Sequence, residues 1–337
     1  MNFRSDTTAS VHPAILDAIA RANAGRVNSY GDDALTHALT ARLCACFDAD
    51  VEVLLTTSGT ATNAIALAGM VDPWGAVLCH REAHIETDEC GAPGFFAAGA
   101  KLVLIDGDAA KITVAGLHEA LSRNQRGVHS VLPQALSISQ CTERGAVYAP
   151  EEVQALTDAA HAAGLKVHMD GARFANAVAH LGCAPRAAAA GVDVLSFGAT
   201  KNGAMAAEAI IVFDRTAVRG LDRLRKRSGH LVAKHRFLAA QMLAYLEDDL
   251  WLALARRANA LALQIAAAAG DWVSAPVQSN HVFIRPGARL LAALRAGGAD
   301  FYDWGPHGDE ARLVVSWDHG ADEVEALCAL LRSLKTG

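Results

Sequence analysis

Three short stretches carry groups suited to acid, base or nucleophile chemistry, and each follows an apolar run. Thr57-Ser58-Gly59-Thr60 follows Val51–Thr56 and leads into a helical pattern. A small, hydroxyl-bearing turn at a helix start is a natural anion cradle, because the first backbone N–H groups are free and the helix dipole favours negative charge there. Capping of the helix by Ser58 or Thr60 is the plainer reading. His168-Met169-Asp170-Gly171-Ala172-Arg173 closes the run Leu165–Asp170. A carboxylate at the end of a buried strand is costly unless it meets a cation. That cation could be Arg173, in a salt bridge, or the protonated ring nitrogen of a ligand. Gly198-Ala199-Thr200-Lys201-Asn202-Gly203 follows Val192–Phe197. Desolvation and nearby cations would lower the pKa of Lys201 and make it an amine nucleophile able to form a Schiff base. A solvated loop lysine is the ordinary alternative.

In open α/β sheets, ligand groups gather at the carboxyl ends of strands. Thirty-one positions separate Asp170 from Lys201, room for one helix and one strand between them. A phosphate cradle, an acid and a reactive lysine together suit pyridoxal phosphate: the lysine holds the aldehyde, the aspartate keeps the pyridine nitrogen protonated, and the helix end holds the phosphate. There is no G-x-G-x-x-G after the first strands and no Walker A motif, which disfavours dinucleotides and nucleoside triphosphates.

The elements that must position these groups read as follows. A polar arm over residues 1–12 precedes a helix from Pro13 to about Ala24, and a second helix runs through about Phe47. Seven apolar runs then alternate with helical segments: Val51–Thr56, Ala76–Cys79, Lys101–Ile105, Val131–Ser137, Leu165–Asp170, Val192–Phe197 and Ala209–Phe213. Thr60–Met70, Val114–Arg123 and Pro150–Ala163 are among the helices between them. Continuous apolar strands between helices imply a mostly parallel sheet covered on both faces. The later chain changes texture to a long helix followed by short elements at His281–Ile284, Leu290–Arg295, Ala311–Trp317 and Ala321–Leu334. The expected division is an arm (1–12), a large α/β domain (13–240) and a smaller α+β domain (241–337).

Composition narrows the field. Of 337 residues, 52% are hydrophobic and 20% charged, enough apolar material for a large core. The net charge of −6 argues against general nucleic-acid binding, which needs surplus cation. Seven scattered cysteines without a CxxC pair read as reduced thiols. The start MNFRSDTTAS has no apolar signal region, and Leu250 to Gly270 is broken by Arg256, Arg257, Asn259 and Gln264, so a cytoplasmic protein without a membrane span is expected.

Stretches from nearly end to end resemble the low-specificity L-threonine aldolase family: Phe3-Arg4-Ser5-Asp6-Thr7, Tyr30-Gly31-Asp32-Asp33, Ser58-Gly59-Thr60, Ala83-His84-Ile85-Glu86, His168 to Arg173, Thr200-Lys201-Asn202-Gly203 and Arg312-Leu313-Val314. Ser-Gly-Thr is weak by itself, whereas H-x-D-G-A-R followed at this interval by the lysine is specific. The resemblance implies the aspartate-aminotransferase-like type I fold of pyridoxal-phosphate enzymes. It implies cleavage of L-threonine, L-allo-threonine and related β-hydroxy-α-amino acids to glycine and an aldehyde. Lys201 then resembles the cofactor-holding lysine, Asp170 the partner of the pyridine nitrogen, and Ser58, Gly59 and Thr60 the phosphate turn. His84 resembles the histidine that stacks on the cofactor and acts as, or positions, the base. Ser5, Arg173 and Arg312 resemble the residues that grip the substrate carboxylate, with Arg173 also near the cofactor. Arginine suits this because its planar fork matches a carboxylate.

The family places a neighbouring subunit's cation near the phosphate, and Lys234 is the candidate within the basic stretch from Arg223 to Arg236, which otherwise reads as a solvated helix face. A homo-oligomer with shared sites is expected, at least a dimer and further a tetramer. Many members carry a second active-site histidine in an E-N-T-H-N segment. Here Ser139-Gln140-Cys141-Thr142-Glu143 has none, and Thr142 is the substitute candidate. Cys79, His80, His84 and Cys90 match no zinc spacing, so no metal is expected. Trp304 and Trp317 read as packing residues. A β-eliminating lyase or aminotransferase with the same cofactor residues, or a non-catalytic relative, are the alternatives, separable by the products formed.

Overall fold

The computed structural model describes residues 1–123, 126–305 and 307–336. Strands β1 (Glu52–Thr56), β2 (Gly75–His80), β3 (Lys101–Ile105), β4 (Leu132–Ser139), β5 (Lys166–Gly171), β6 (Val194–Gly198) and β7 (Glu208–Val212) form one sheet in the order β1-β7-β6-β5-β4-β2-β3. The block from β6 to β3 is parallel. β7 runs antiparallel to both β1 and β6. The expected strands are all present, and the sheet is mostly parallel.

The strands read as continuous apolar runs because both faces are covered. Every residue of β2, β6 and β7 is buried. On one face, Ile65, Leu67 and Met70 of the helix Gly59–Met70 pack with Val77, Val194 and Ile210. On the other, the helices Pro13–Ala22, Ala34–Phe47 and Arg236–Leu246 close a core around Phe47, Phe197 and Tyr245. Fully burying a side chain of this size is worth about 1.5–3 kcal/mol. The first helix ends at Ala22, slightly short of the expected Ala24.

An aromatic chain fixes the residues that flank the chemistry. Phe174, directly after Arg173, meets Phe197 at 6.1 Å, and Phe197 meets Trp251 at 5.7 Å. The strand ends carrying Asp170 and Lys201 are therefore anchored by rings that cannot shift without opening the core.

A second sheet, β8 (His281–Ile284), β9 (Tyr302–Trp304) and β10 (Glu310–Val314), is antiparallel in the order β8-β10-β9. β9 is an addition to the expected elements. Its core contains Leu261, Ile265, Val282, Leu313 and Leu327, and also Phe3 from the N-terminal arm. The helix Leu250–Ala269 serves both cores: Trp251 and Ala255 join the first, and Leu261 and Ile265 the second.

Candidate active site

Strand register brings the chemistry together at the carboxyl ends of the parallel strands. Asp170 on β5 lies opposite Ser139 on β4 and Ser196 on β6, and Gly198 lies opposite Glu208 on β7. Asp170 is buried. Its Oδ1 accepts from the Ala172 N–H at 2.9 Å and its Oδ2 from the Asn63 amide at 2.8 Å. Burial opposes the charged carboxyl, but His84 and Lys201 outweigh it and hold it below its ordinary range.

Asn63, one turn into the helix Gly59–Met70, also donates to Glu89 Oε1 at 2.8 Å, and His84 Nδ1 lies 2.8 Å from the same oxygen. Burial works against the charged ring of His84, yet Glu89 and Asp170 raise its proton affinity overall. Ligand atoms of His84, Glu89 and Asp170 lie within 4.8 Å of one another, a spacing a metal ion could use. The Asn63 amide is already shared by the two carboxylates.

Arg173 does not pair with Asp170. Its fork closes on Asp6, with Nε 2.7 Å from Oδ2 and Nη2 2.9 Å from Oδ1. Asn280 also donates to Asp6, at 2.9 Å. The physical reason is geometric: the chain turns after Gly171 and faces Arg173 toward the N-terminal arm, while Asp170 stays satisfied by Asn63 and Ala172.

Lys201 sits in the short helical turn Thr200–Asn202 after β6. Asn202 pins the turn by donating to Tyr245 Oη and the Trp251 carbonyl, both at 2.8 Å. Gly203 follows at φ +107°, and a Cβ there would meet Leu254 Cδ1 at 3.0 Å, so both backbone and space call for glycine. Burial and then Arg173 lower the Lys201 pKa, against the opposing carboxylates of Asp6, Asp170 and Glu208. Among the described residues its Nζ makes no hydrogen bond or ion pair, which leaves a depressed-pKa amine free to react. Glu208 is buried, and its carboxyl is pushed up to about 7 by that burial.

The wall opposite comes from the small sheet. Arg312 on β10 lies over the Trp304 ring at 4.5 Å and the Tyr302 ring at 5.5 Å. Its Nε is buried without a partner, and burial followed by Arg173 lowers its pKa to about 10. A cation with an unused donor, backed by aromatic rings, is a ready carboxylate receptor. Lys201, His84, Arg173, Arg312, Ser5 and Trp304 line a cleft of about 420 Å³. Trp304 is therefore a wall of the cleft rather than packing alone.

Of the other sequence candidates, Ser58 and Lys234 lie outside the cleft lining and Thr142 lies at its inner end. Ser58 Oγ accepts from the Ala61 N–H at 3.3 Å and caps the helix Gly59–Met70. A Cβ at Gly59 would meet nothing within 4 Å, and the Gly59 and Thr60 N–H groups have no hydrogen-bond partner among the described residues. Lys234 is exposed and lies outside the cleft lining. Thr142 spends its hydroxyl on the Ala109 carbonyl at 2.8 Å, which removes it as a stand-in for a histidine. Beside it, Glu143 lines the inner end of the cleft with His84, Asp170 and Lys201. Sequence reasoning passed over Glu143, Asn63, Glu89 and Asp6. Asn63 carried a signal, as the lone amide side chain in a mostly apolar helix. Asp6 stood beside Ser5 in a quoted stretch without a role.

The beta-eliminating lyase family matches residues 2–286. A low specificity L-threonine aldolase from Pseudomonas aeruginosa is 40% identical over 98% of this chain and 96% of its own. The solved structure of Leishmania major threonine aldolase superposes with a TM-score of 0.93 at 30% identity, covering 99% of each chain. Aspartate aminotransferase from Thermus thermophilus shares the fold, with a TM-score of 0.70 at 16% identity over 98% of this chain and 90% of that one.

Proposed function

The chain belongs to the beta-eliminating lyase family and, within it, to the low-specificity L-threonine aldolases, and from that premise we propose which of its residues perform the reaction. The protein is a pyridoxal-phosphate-dependent carbon–carbon lyase that cleaves L-threonine, L-allo-threonine and related β-hydroxy-α-amino acids to glycine and an aldehyde. The donor set fits the cofactor: a half-buried amine without a partner among the described residues, a buried ionised carboxylate in the same cleft, and helix-start amides at Gly59 and Thr60 without a partner among the described residues. The observation that carries the assignment of residues is the free amine of Lys201 in the same cleft as ionised Asp170.

When bound, pyridoxal phosphate takes the substrate amine and accepts the electron pair released as the Cα–Cβ bond breaks. Lys201 supplies the amine that holds the cofactor between turnovers and reclaims it afterwards. Asp170, kept ionised by its neighbours, holds a proton on the pyridine nitrogen. Ser58, Gly59 and Thr60 bind the phosphate. His84 would lie against the ring and would act as, or position, the base. Arg312 grips the substrate carboxylate, with Ser5 and Arg173 completing that end of the cleft. A base beside His84 removes the β-hydroxyl proton.

The test is to incubate the purified protein with pyridoxal phosphate and L-threonine and identify the products. Acetaldehyde and glycine are expected, and borohydride reduction should fix the cofactor on Lys201 in a peptide map. A keto acid product, or an adduct on another lysine, would overturn the reading.

The family resemblance supports a homo-oligomer, at least a dimer and further a tetramer, with Lys234 reaching a neighbour's phosphate site. A fully active monomer in size-exclusion chromatography would refute this. A cytoplasmic location is part of the same proposal. No helix among the described residues is long and apolar enough to cross a membrane. Fractionation that recovers the protein outside the cytoplasm would exclude it. The division into an arm (1–12), a large domain (13–240) and a small domain (241–337) is likewise proposed. The cores favour moving the second boundary into the helix Leu250–Ala269, and limited proteolysis that fails to cut near it would count against the division.

A further inference from the structure

Asp88, Asp170 and Glu143 are the carboxylates that line the inner end of the cleft, and Asp88 is exposed. Asp6 is held by Arg173 and Asn280. Asp170 is held by Asn63 and Ala172 on both oxygens, and Glu89 by Asn63 and the His84 ring on Oε1, its Oε2 having no partner. Glu143 differs. Its Oε1 accepts from Ser139 Oγ at 2.7 Å and from the His84 backbone N–H at 3.0 Å. Its Oε2 is buried without a partner, and no ion pair with Glu143 occurs among the described residues. A buried carboxylate without a cation costs stability, so folding alone gives no reason for it. Two donors fix its orientation at the inner end of the cleft, where His84, Lys201 and Arg312 also converge.

We propose that Glu143 is the base that takes the β-hydroxyl proton of the substrate, and thereby selects β-hydroxy amino acids. This rests on the aldolase reading above. In the step, the substrate O–H bond breaks and its proton moves to the Glu143 carboxylate. The O–H electron pair becomes the second bond of the aldehyde carbonyl, the Cα–Cβ bond breaks, and its pair stays with the glycine fragment. Over one turnover a proton leaves the hydroxyl and a proton arrives at Cα, so no oxidant or other co-reactant is required.

The rival base is His84. Its Nδ1 is committed to Glu89, and its neighbours favour the protonated ring, which suits it to donate rather than to accept. The Glu143 carboxyl, pushed up to about 7 by burial with Asp170 adding to the effect, has the proton affinity a base needs near neutral pH. The backbone bond from His84 to Glu143 makes the histidine a positioning group for the glutamate.

The test compares wild type, Glu143→Gln and Glu143→Asp as holoenzymes in three measurements: acetaldehyde release from L-threonine, exchange of the glycine α-hydrogen in deuterated water followed by NMR, and the thermal midpoint. Glycine exchange uses the same cofactor and lysine but no β-hydroxyl. In Glu143→Gln, kcat/KM for L-threonine should fall by about 10²–10⁴-fold, the loss typical of removing a general base. Glycine exchange should stay at the wild-type rate. The midpoint should hold or rise, because glutamine keeps the oxygen that Ser139 and His84 use and removes a buried charge. Glu143→Asp keeps the carboxylate and should retain part of the cleavage. Equal losses in both reactions, undiminished cleavage, or a lowered midpoint with both reactions weakened would each overturn the role of Glu143. A wild-type enzyme that exchanges glycine but releases no aldehyde would instead overturn the aldolase reading itself.

Discussion

At the scale of single residues, Arg312 shows how structure decides between readings that sequence leaves equal. From sequence, an ion pair within the small domain competes with a carboxylate receptor. The guanidinium makes no ion pair among the described residues, its Nε is unpartnered, and its nearest support is the ring of Trp304. Arg312→Leu should therefore leave cofactor capture and the thermal midpoint near wild type while raising KM for L-threonine, because a carboxylate contact exists in both ground and transition states. Truncating one partner of a buried charged pair costs about 2–5 kcal/mol, or roughly 30- to 5,000-fold in kcat/KM. Arg312→Lys should recover only part, since an ammonium keeps the charge but not the fork. Steady-state kinetics beside a melting curve check this, and an unchanged KM removes Arg312 from the site. Lys201 and Asp170 were legible because residue type and strand-end position coincide, and Arg312, in the middle of β10, only through the family resemblance. Glu143 was not, because a carboxylate in an irregular loop has no period or partner in sequence to mark it.

At the scale of elements, the helix Gly59–Met70 links two parts of the site: Ser58 caps its start and Asn63 holds Asp170 and Glu89 one turn later. A serine hydroxyl accepts and donates at once, so Ser58 can accept from Ala61 and donate to a phosphate. Ser58→Ala should lower the stability of the cofactor-free protein by about 0.5–2 kcal/mol through loss of the cap. It should also weaken pyridoxal phosphate binding in a spectroscopic titration. A lowered midpoint with unchanged cofactor affinity would restrict Ser58 to capping. The strands were readable because burial on both faces leaves unbroken apolar runs, as in Ala76–Cys79 and Val192–Phe197. The reversal of β7 was not, since burial on both faces gives the same pattern for either direction. β9 escaped because three residues, two of them exposed, show no alternation to find.

At the scale of the whole molecule, the N-terminal arm ties the two sheets to one another across the cleft. Phe3 pairs with both neighbouring segments of the small domain, its N–H reaching the Asp300 carbonyl and its carbonyl the Val314 N–H, each at 2.8 Å, and the His12 N–H reaches the Gly203 carbonyl beside Lys201 at 2.9 Å. Between these anchors Asp6 holds Arg173 from the large sheet and Asn280 from the β8 side. Burial opposes its ionised form, but Arg173 and Lys201 prevail and hold the carboxyl well below the usual 3.8. Asp6→Asn would leave Arg173 buried without its counter-charge, a loss of about 3–5 kcal/mol. The variant should melt lower at pH 7 and show a raised KM as Arg173 loses its fixed orientation. The pH dependence has a definite sign. A carboxyl with a depressed folded-state pKa binds fewer protons folded than unfolded, so its stabilisation is complete above 3.8 and is lost as the pH falls below it. The gap between wild type and Asp6→Asn should accordingly be constant near neutrality and shrink in acid. Melting curves of both proteins from neutral pH into the acid range measure that gap. A difference that persists unchanged into strong acid would mean that Asp6 acts by packing, and that the arm does not join the two sheets through charge.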